Sequence, residues 1–185
     1  LVIAAAQHSK SFRPISFLPL SSLLGQISLI PENENSSRLK TSIVNKGYLM
    51  PSIDGFHVVG STYSRGGFDE NQWPQSVTVE GHKKNYDMLD LELRSLFPDC
   101  QFDQWLGYSA IRSATPDRLP VVGPVPEATK FKKDFERLSH GPRGKFPTGV
   151  DYHPNLFVLA GLGSRGIMTS ALSAEVLTSQ MLGEP

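Results

Sequence analysis

The sequence has little of several features that would indicate a function at once. A single cysteine among 185 residues allows no internal disulfide and is typical of a reducing compartment. The 18 Lys and Arg residues balance the 18 Asp and Glu residues, so any affinity for nucleic acid or acidic substrates must be local. No apolar run approaches the roughly eighteen residues that span a membrane, and the histidines show no metal-ligand spacing. We expect a cytoplasmic protein with neither a membrane segment nor a metal site.

The chain begins directly in an apolar run, residues 1–6, that is typical of a buried strand. No basic segment precedes this run, so it does not resemble a secretory leader. A native terminus inside a core strand is unusual. We therefore expect the chain to be the C-terminal piece of a longer protein.

Hydrophobic periodicity predicts an α+β fold in which strands dominate the middle of the chain. An amphipathic helix is predicted just before Pro98, and a second helix ends the chain. The segment 127–150 is basic, rich in Gly and Pro and aperiodic, which predicts a surface loop. The predicted elements are strands at 18–30 and 104–115, a hairpin within 47–67 that turns at Asp54-Gly55, a helix at 80–97, a Pro/Gly turn near 117–126, a strand at 156–160 and a helix that ends near 182.

The string "GLGSRG", residues 161–166, matches the G-x-G-x-x-G pattern between a predicted strand and a predicted helix. A dinucleotide site also needs a second strand with an acidic residue about twenty positions later. No such strand follows within the sequence to Pro185, so we do not expect a dinucleotide site here. A helix N-terminus still favours a negative or electron-rich group. A tight strand-to-helix turn without a ligand explains the string equally well.

Another stretch, "IRSATPDRLPVVGPVP" at 111–126, resembles the R-x-x-T-x-D-x-x-P-x-x-G motif of the D-amino-acid oxidase and glycine oxidase group of flavoproteins. The strings "LLGQISLIP", "GYLMP", "GSTYSRG" and "GLGSRGIMTSALSAEVLTSQMLGEP" occur in the order seen in one branch of that group. This branch is the FAD-dependent oxidoreductase half of the bifunctional enzymes that complete 5-methylaminomethyl-2-thiouridine in tRNA. The likeness covers nearly the whole chain and is weakest at 66–110 and 127–152.

The resemblance implies the C-terminal fragment of a two-lobed, D-amino-acid oxidase-like flavoprotein. Residues 1–12 and 112–185 would form part of the FAD-binding lobe. Residues 13–111 would form a substrate-binding lobe with a mostly antiparallel sheet and one helix near 81–97. The N-terminal unit that binds the ADP half of FAD is missing, so we expect this fragment alone to bind FAD weakly or not at all.

The implied activity is oxidation of the carboxymethylaminomethyl group on the tRNA wobble uridine. Loss of a hydride next to the amine and hydrolysis of the imine would release glyoxylate and leave aminomethyluridine. A methyltransferase half that uses S-adenosylmethionine would lie upstream in the same polypeptide. Two alternatives remain open, namely an oxidase or dehydrogenase of glycine, sarcosine or D-amino acids, and an inactive, truncated binding module.

The resemblance also implies roles for particular residues. Arg112 would pair with the substrate carboxylate, unless it makes a structural ion pair. Tyr48, Tyr63 and Arg65 would line the pocket, although core packing is an alternative for each tyrosine. No catalytic base is expected, because the hydride leaves an amine that is already neutral. The loop at the pyrimidine edge of the flavin would consist of Gly161, Leu162, Gly163, Ser164, Arg165, Gly166 and Ile167.

The roles of Asp117 and of the basic segment 130–145 are less specific. Asp117 is expected to fix its turn rather than to contact a ligand. The basic segment 130–145 could meet tRNA phosphates, but a solvated loop explains it as well.

Overall fold

The computed structural model describes residues 1–141 and 145–184, so residues 142–144 of the predicted basic segment lie outside the described residues. The chain divides into two compact units. The first unit consists of Leu1–Ser22 and Arg112–Pro185, and the second of Leu23–Ile111.

The regular elements are strands and helices in a mixed order, as an α+β fold requires. In chain order they are β1 (Val2–Ile3), β2 (Ser21–Pro31), β3 (Ile43–Val44), β4 (Tyr48–Leu49), β5 (Phe56–Gly60), α1 (Val79–Asp87), α2 (Leu91–Arg94), β6 (Leu106–Ala114), β7 (Val121–Pro126), α3 (Ala128–Phe135), β8 (Tyr152–Ala160) and α4 (Gly166–Leu182). The strands predicted around 18–30, 104–115 and 156–160 and the C-terminal helix are confirmed.

The first unit is built around a three-stranded sheet in the order β1-β8-β7. Strand β8 is central, parallel to β1 and antiparallel to β7, and α4 packs on β7 and β8. Only two residues of α4, Ser173 and Leu177, are buried. The core beneath consists of Ile3, Ile15, Leu20, Val125, Val158 and Ala160.

Strand β7 replaces the turn that the Pro and Gly residues of 117–126 predicted, and that prediction was wrong. Val121 pairs with Ala160, and Pro126 pairs with Tyr152. Proline lacks the N–H that a central strand must donate, but an edge strand can do without it. Because β7 is the edge of this sheet, its prolines cost no ladder hydrogen bond on the open side.

The second unit contains a five-stranded sheet in the order β3-β4-β5-β2-β6. The pairs β3–β4, β4–β5 and β2–β5 are antiparallel. Asp54 and Gly55 have φ values of +52° and +81°, as the tight turn of a hairpin requires, and Ile53 pairs with Phe56 across it. The predicted hairpin turn is therefore confirmed.

The helix expected at 80–97 is two helices, because the chain leaves helical geometry between them. Asp90 is extended, with φ −66° and ψ 161°, and begins α2. The Arg94 side chain folds back and donates hydrogen bonds to the carbonyl oxygens of Asp87 and Leu89. These contacts bind the last carbonyl of α1 and one carbonyl of the link that follows, which stabilises a turn there in place of one long helix.

The prediction of a loop throughout 127–150 was wrong, since α3 lies there. Glu127 caps this helix, because its carboxylate accepts hydrogen bonds from the backbone N–H groups of Thr129 at 3.2 Å and Lys130 at 2.7 Å. These two bonds lower the pKa of Glu127. Lys130 and Asp134 then form an ion pair at i and i+4, which also stabilises a helix.

A buried polar network joins α1 to the sheet of the second unit. His82 Nδ1 lies 2.8 Å from the Ser28 hydroxyl, and the Asn85 amide donates to the same hydroxyl at 2.9 Å. All three side chains are almost fully buried, and the imidazole makes an edge contact with the ring of Trp105. Burial lowers the pKa of His82, and a hydrogen bond to the backbone of Trp105 opposes part of that shift. The network therefore favours a neutral imidazole.

We predict that the second unit loses stability as the pH falls through 6.5. Below the ordinary histidine pKa of about 6.5, the unfolded chain binds a proton that folded His82 resists, so unfolding becomes more favourable. Urea unfolding should give a lower free energy at pH 5.5 than at pH 7.5, and His82→Gln should reduce this difference. The matched control is His140→Gln, at an exposed histidine. An equal pH dependence in wild type and His82→Gln would contradict the prediction.

Candidate functional site

The glycine loop begins where β8 ends, and its first glycine is held by a close contact. Gly161 has φ +73°, a conformation that residues with a side chain rarely adopt. A Cβ atom at this position would lie 2.8 Å from Cγ2 of Thr115 and 3.3 Å from Leu20. Gly161 is therefore required by both its backbone angle and its packing.

Thr115 belongs to the Arg-x-x-Thr motif, and it also closes the turn before β7. Its hydroxyl donates to the carbonyl oxygen of Leu119 at 2.7 Å, and the Leu119 N–H donates to the Asp117 carboxylate at 3.0 Å. The bond from Leu119 lowers the pKa of Asp117. The expected role of Asp117 in fixing the turn is confirmed. Ala114 forms a bridge with Leu162, so the motif and the glycine loop are one structure.

The loop ends at the N-terminus of α4, which has no carboxylate to complement it. Helix α4 is 17 residues long, with no acidic residue in its first turn and no side-chain cap from Arg165. Ile167 is 97% exposed, so its side chain does not cover the first backbone N–H groups. This site suits an electron-rich or anionic part of a ligand. It combines the positive end of the helix dipole, the backbone N–H groups of the first turn and the Arg165 guanidinium.

Arg112 lies in β6 and is half-buried. It is three residues before Thr115, so a well-ordered strand and turn fix its backbone. A half-buried guanidinium presents a planar pair of donors, which matches a carboxylate.

Tyr48 lies in β4, opposite Gly60 of β5, and is half-buried. A Cβ atom at Gly60 would lie 3.3 Å from the Tyr48 hydroxyl and 3.1 Å from Cγ2 of Ile27. The tyrosine hydroxyl therefore lies over the backbone of β5, and a side chain at position 60 would require the neighbouring atoms to shift by a few tenths of an ångström. No sequence pattern singles out Gly60, although it begins the "GSTYSRG" string.

Tyr63 and Arg65 flank Ser64, whose N–H and C=O both pair with Leu24. Successive residues of extended chain point to opposite sides, so Tyr63 and Arg65 share one face of this segment. Tyr63 is 59% exposed, and Arg65 is exposed. Core packing, the alternative weighed for Tyr63, therefore does not describe it.

Other kinds of site are not found. Within residues 1–141 and 145–184, no three His, Cys, Asp or Glu side chains are placed to hold a metal ion. The helices in the same residues are all too short or too polar to cross a bilayer.

Comparison with known proteins identifies the family. A family model described as FAD-dependent oxidoreductase matches residues 1–180, almost the whole chain. The chain belongs to this family. The resemblance seen in the sequence motifs is confirmed, and so is the expectation of an FAD-dependent protein.

Curated relatives match along nearly the whole of this chain. The chain is 36% identical over 182 residues to the tRNA 5-methylaminomethyl-2-thiouridine biosynthesis bifunctional protein MnmC of Leptospira borgpetersenii, covering 96% of this chain and 26% of that protein. It is 35% identical to the protein of the same name from Pseudoalteromonas atlantica, covering 100% of this chain and 26% of the relative. The chain thus spans about a quarter of the length of these relatives.

Solved structures confirm the predicted fold class. Iminodiacetate oxidase from Chelativorans matches with a TM-score of 0.66 at 18% identity, over 100% of this chain and 42% of that chain. Glycine oxidase from Geobacillus kaustophilus matches with a TM-score of 0.58 at 21% identity, over 91% of this chain and 36% of that chain. The chain therefore has part of the glycine oxidase fold.

We predict that Gly161→Ala destabilises the oxidoreductase more than a change in backbone angle alone would. The left-handed conformation costs a non-glycine residue about 1–2 kcal/mol, and forcing the new methyl group against Thr115 adds about 1–3 kcal/mol. The control is Gly183→Ala, because Gly183 has φ +69° but open space around it. Urea unfolding of both variants measures the difference, and equal losses of stability would show that the contact with Thr115 is unimportant.

Proposed function

We propose that the protein containing this chain oxidises the carboxymethylaminomethyl group of the tRNA wobble uridine to aminomethyl and releases glyoxylate. The observation that carries this proposal is the 36% identity to a tRNA 5-methylaminomethyl-2-thiouridine biosynthesis protein over 96% of the chain. The glycine loop and the Arg112 strand, which the motif likeness selected, are both ordered in the structure.

FAD, when bound, supplies the acceptor for the hydride and its electron pair. The backbone N–H groups at the start of α4 would then lie at the pyrimidine edge of the ring system. The first turn of α4 contains no acidic residue and Arg165 makes no side-chain cap, so these N–H groups would stabilise negative charge at that edge. Residues 161–167 would act by electrostatics and positioning, without exchanging a proton.

Arg112 would bind the carboxylate of the glycine-like moiety. Two parallel N–H donors from one guanidinium fix both the position and the angle of a carboxylate, which a lysine ammonium does not do. This contact would hold the carbon next to the amine for hydride loss. We propose that Tyr48, Tyr63 and Arg65 line the substrate side, with the tyrosine hydroxyl over Gly60 as its most constrained group.

The proposal extends to partners that the relatives' shared name indicates. The name describes bifunctional proteins of tRNA modification, so we propose tRNA as substrate and a fused methyltransferase half that uses S-adenosylmethionine. Such an enzyme would act in the cytoplasm. Arg112 suits any glycine-like carboxylate, which keeps a small-molecule amine oxidase as the second candidate.

The experiment is to incubate the complete protein, with FAD, with tRNA that carries carboxymethylaminomethyluridine. We expect nucleoside analysis to show aminomethyluridine, with one glyoxylate released for each uridine converted. Glycine and sarcosine serve as competing substrates in parallel reactions. Oxidation of glycine or sarcosine without conversion of the tRNA would support the second candidate and overturn the first.

A further inference from the structure

The zero net charge of the chain conceals an unequal distribution. The first unit has eleven Lys and Arg residues against seven Asp and Glu residues, a formal charge of +4. The second unit has seven against eleven, a formal charge of −4. The segment 128–145 has six basic and two acidic residues, which accounts for the whole excess of the first unit. An attraction for polyanions is therefore local to this segment.

Helix α3 fixes which side chains of this segment face solvent. Its inner face is aromatic, because the rings of Phe131 and Phe135 lie 4.8 Å apart and Phe146 stacks on Phe135 at 6.1 Å. Lys132 and Lys133 are both exposed, and the Lys132 ammonium lies 5.9 Å from the centre of the Phe17 ring. The aromatic contacts thus hold the helix while both lysines stay accessible to solvent.

The acidic side chains of this helix are mostly engaged elsewhere. The Glu127 carboxylate accepts the N–H groups at the helix start, and Asp134 pairs with Lys130 at 2.7 Å. Among the described residues, no carboxylate lies within ion-pair distance of Lys132, Lys133 or the exposed Arg137. Residues 132–137 thus carry three exposed cationic groups against one exposed carboxylate, that of Glu136, and the Lys132 ammonium over the Phe17 ring can still accept an anion on its outer side.

Within this unit, helix α3 and the glycine loop adjoin opposite ends of β8. Helix α3 follows Pro126, which pairs with the first residue of β8, whereas the loop follows the last residue of β8. Nine residues of strand separate the two ends, or about 26 Å at 3.3 Å per residue. About eight stacked nucleotides at 3.4 Å each span the length of β8, so an RNA held at one end of this strand can also reach the other end.

We propose that Lys132, Lys133 and Arg137 form a docking surface for the phosphate backbone of the RNA whose modified base is bound at the substrate site of Arg112. This inference rests on the proposed tRNA substrate. Exposed lysine and arginine contacts with phosphates release counterions and position the nucleic acid, while recognition of the modified base stays at the substrate site of Arg112. The surface holds a part of the RNA that does not react, so it contributes binding and leaves the chemical step to the site.

The test is the salt dependence of tRNA binding by the complete, FAD-loaded protein with Lys132→Ala and Lys133→Ala combined. Each lost phosphate contact lowers the slope of log Kd against log salt by about 0.7–0.9, so we expect a reduction of about 1.5. The KM for tRNA should rise on the order of tenfold at physiological salt, with kcat unchanged. The matched control is Lys83→Ala with Lys84→Ala, because these two lysines are also adjacent and exposed on a short helix, α1, but belong to the acidic unit.

The outcomes separate this surface from the proposed function. An unchanged salt slope in the Lys132 and Lys133 variant overturns the docking surface, and so does an equal effect in the control. Thermal unfolding and the FAD content of each variant show whether the fold is intact. If the wild-type protein converts tRNA normally and the two double variants have the same salt slope, only the proposed docking surface is overturned. A wild-type protein that neither binds nor converts tRNA overturns the proposed function as well.

Discussion

The contact between Gly161 and Thr115 determines how β6, β7, β8 and α4 are arranged where they meet in the first unit. A glycine with φ +73° allows the chain to leave β8 and turn at once into α4, and its missing side chain admits the Thr115 methyl group. The Thr115 hydroxyl closes the turn that leads into β7, so one residue connects the Arg112 strand, the edge strand and the helix. The positive end of α4 therefore has a fixed position relative to Arg112, as electrostatic preorganisation requires.

The chemistry of this unit depends on which charged side chains form hydrogen bonds or ion pairs within the protein and which face solvent. Asp117 and Glu127 accept backbone N–H groups, and their lowered pKa values reflect structural roles. The start of α4 has no such carboxylate. Positive groups that could bind external partners therefore occur at two places. One is the N-terminus of α4, after the last residue of β8. The other is the exposed lysines of α3, near the first residue of β8. A small electron-rich group suits the first place, and an extended polyanion suits the second.

Features that depend on neighbours in the chain could be predicted from the sequence. The strand, loop and helix around Gly161, the Asp54-Gly55 turn and the role of Asp117 each follow from local patterns. Strand β7 could not be predicted, because Pro126 is tolerated only through the edge position of that strand. Helix α3 was missed as well, because the Gly and Pro residues around it indicated a loop. The close approach of Tyr48 to Gly60 was also missed, since it joins strands that are paired but separated along the chain. The identities of the motif residues indicated the family. Only the structure shows that Gly161 is also required by its close contact with Thr115.

The most direct test of the flavin-loop assignment is a crystal structure of the complete protein with FAD and a carboxylate analogue of the substrate. The pyrimidine edge of the ring should lie within hydrogen-bond distance of backbone N–H groups at the start of α4, and the carboxylate should pair with Arg112. A flavin bound elsewhere, with residues 161–167 forming a turn that contacts no ligand, would contradict this assignment.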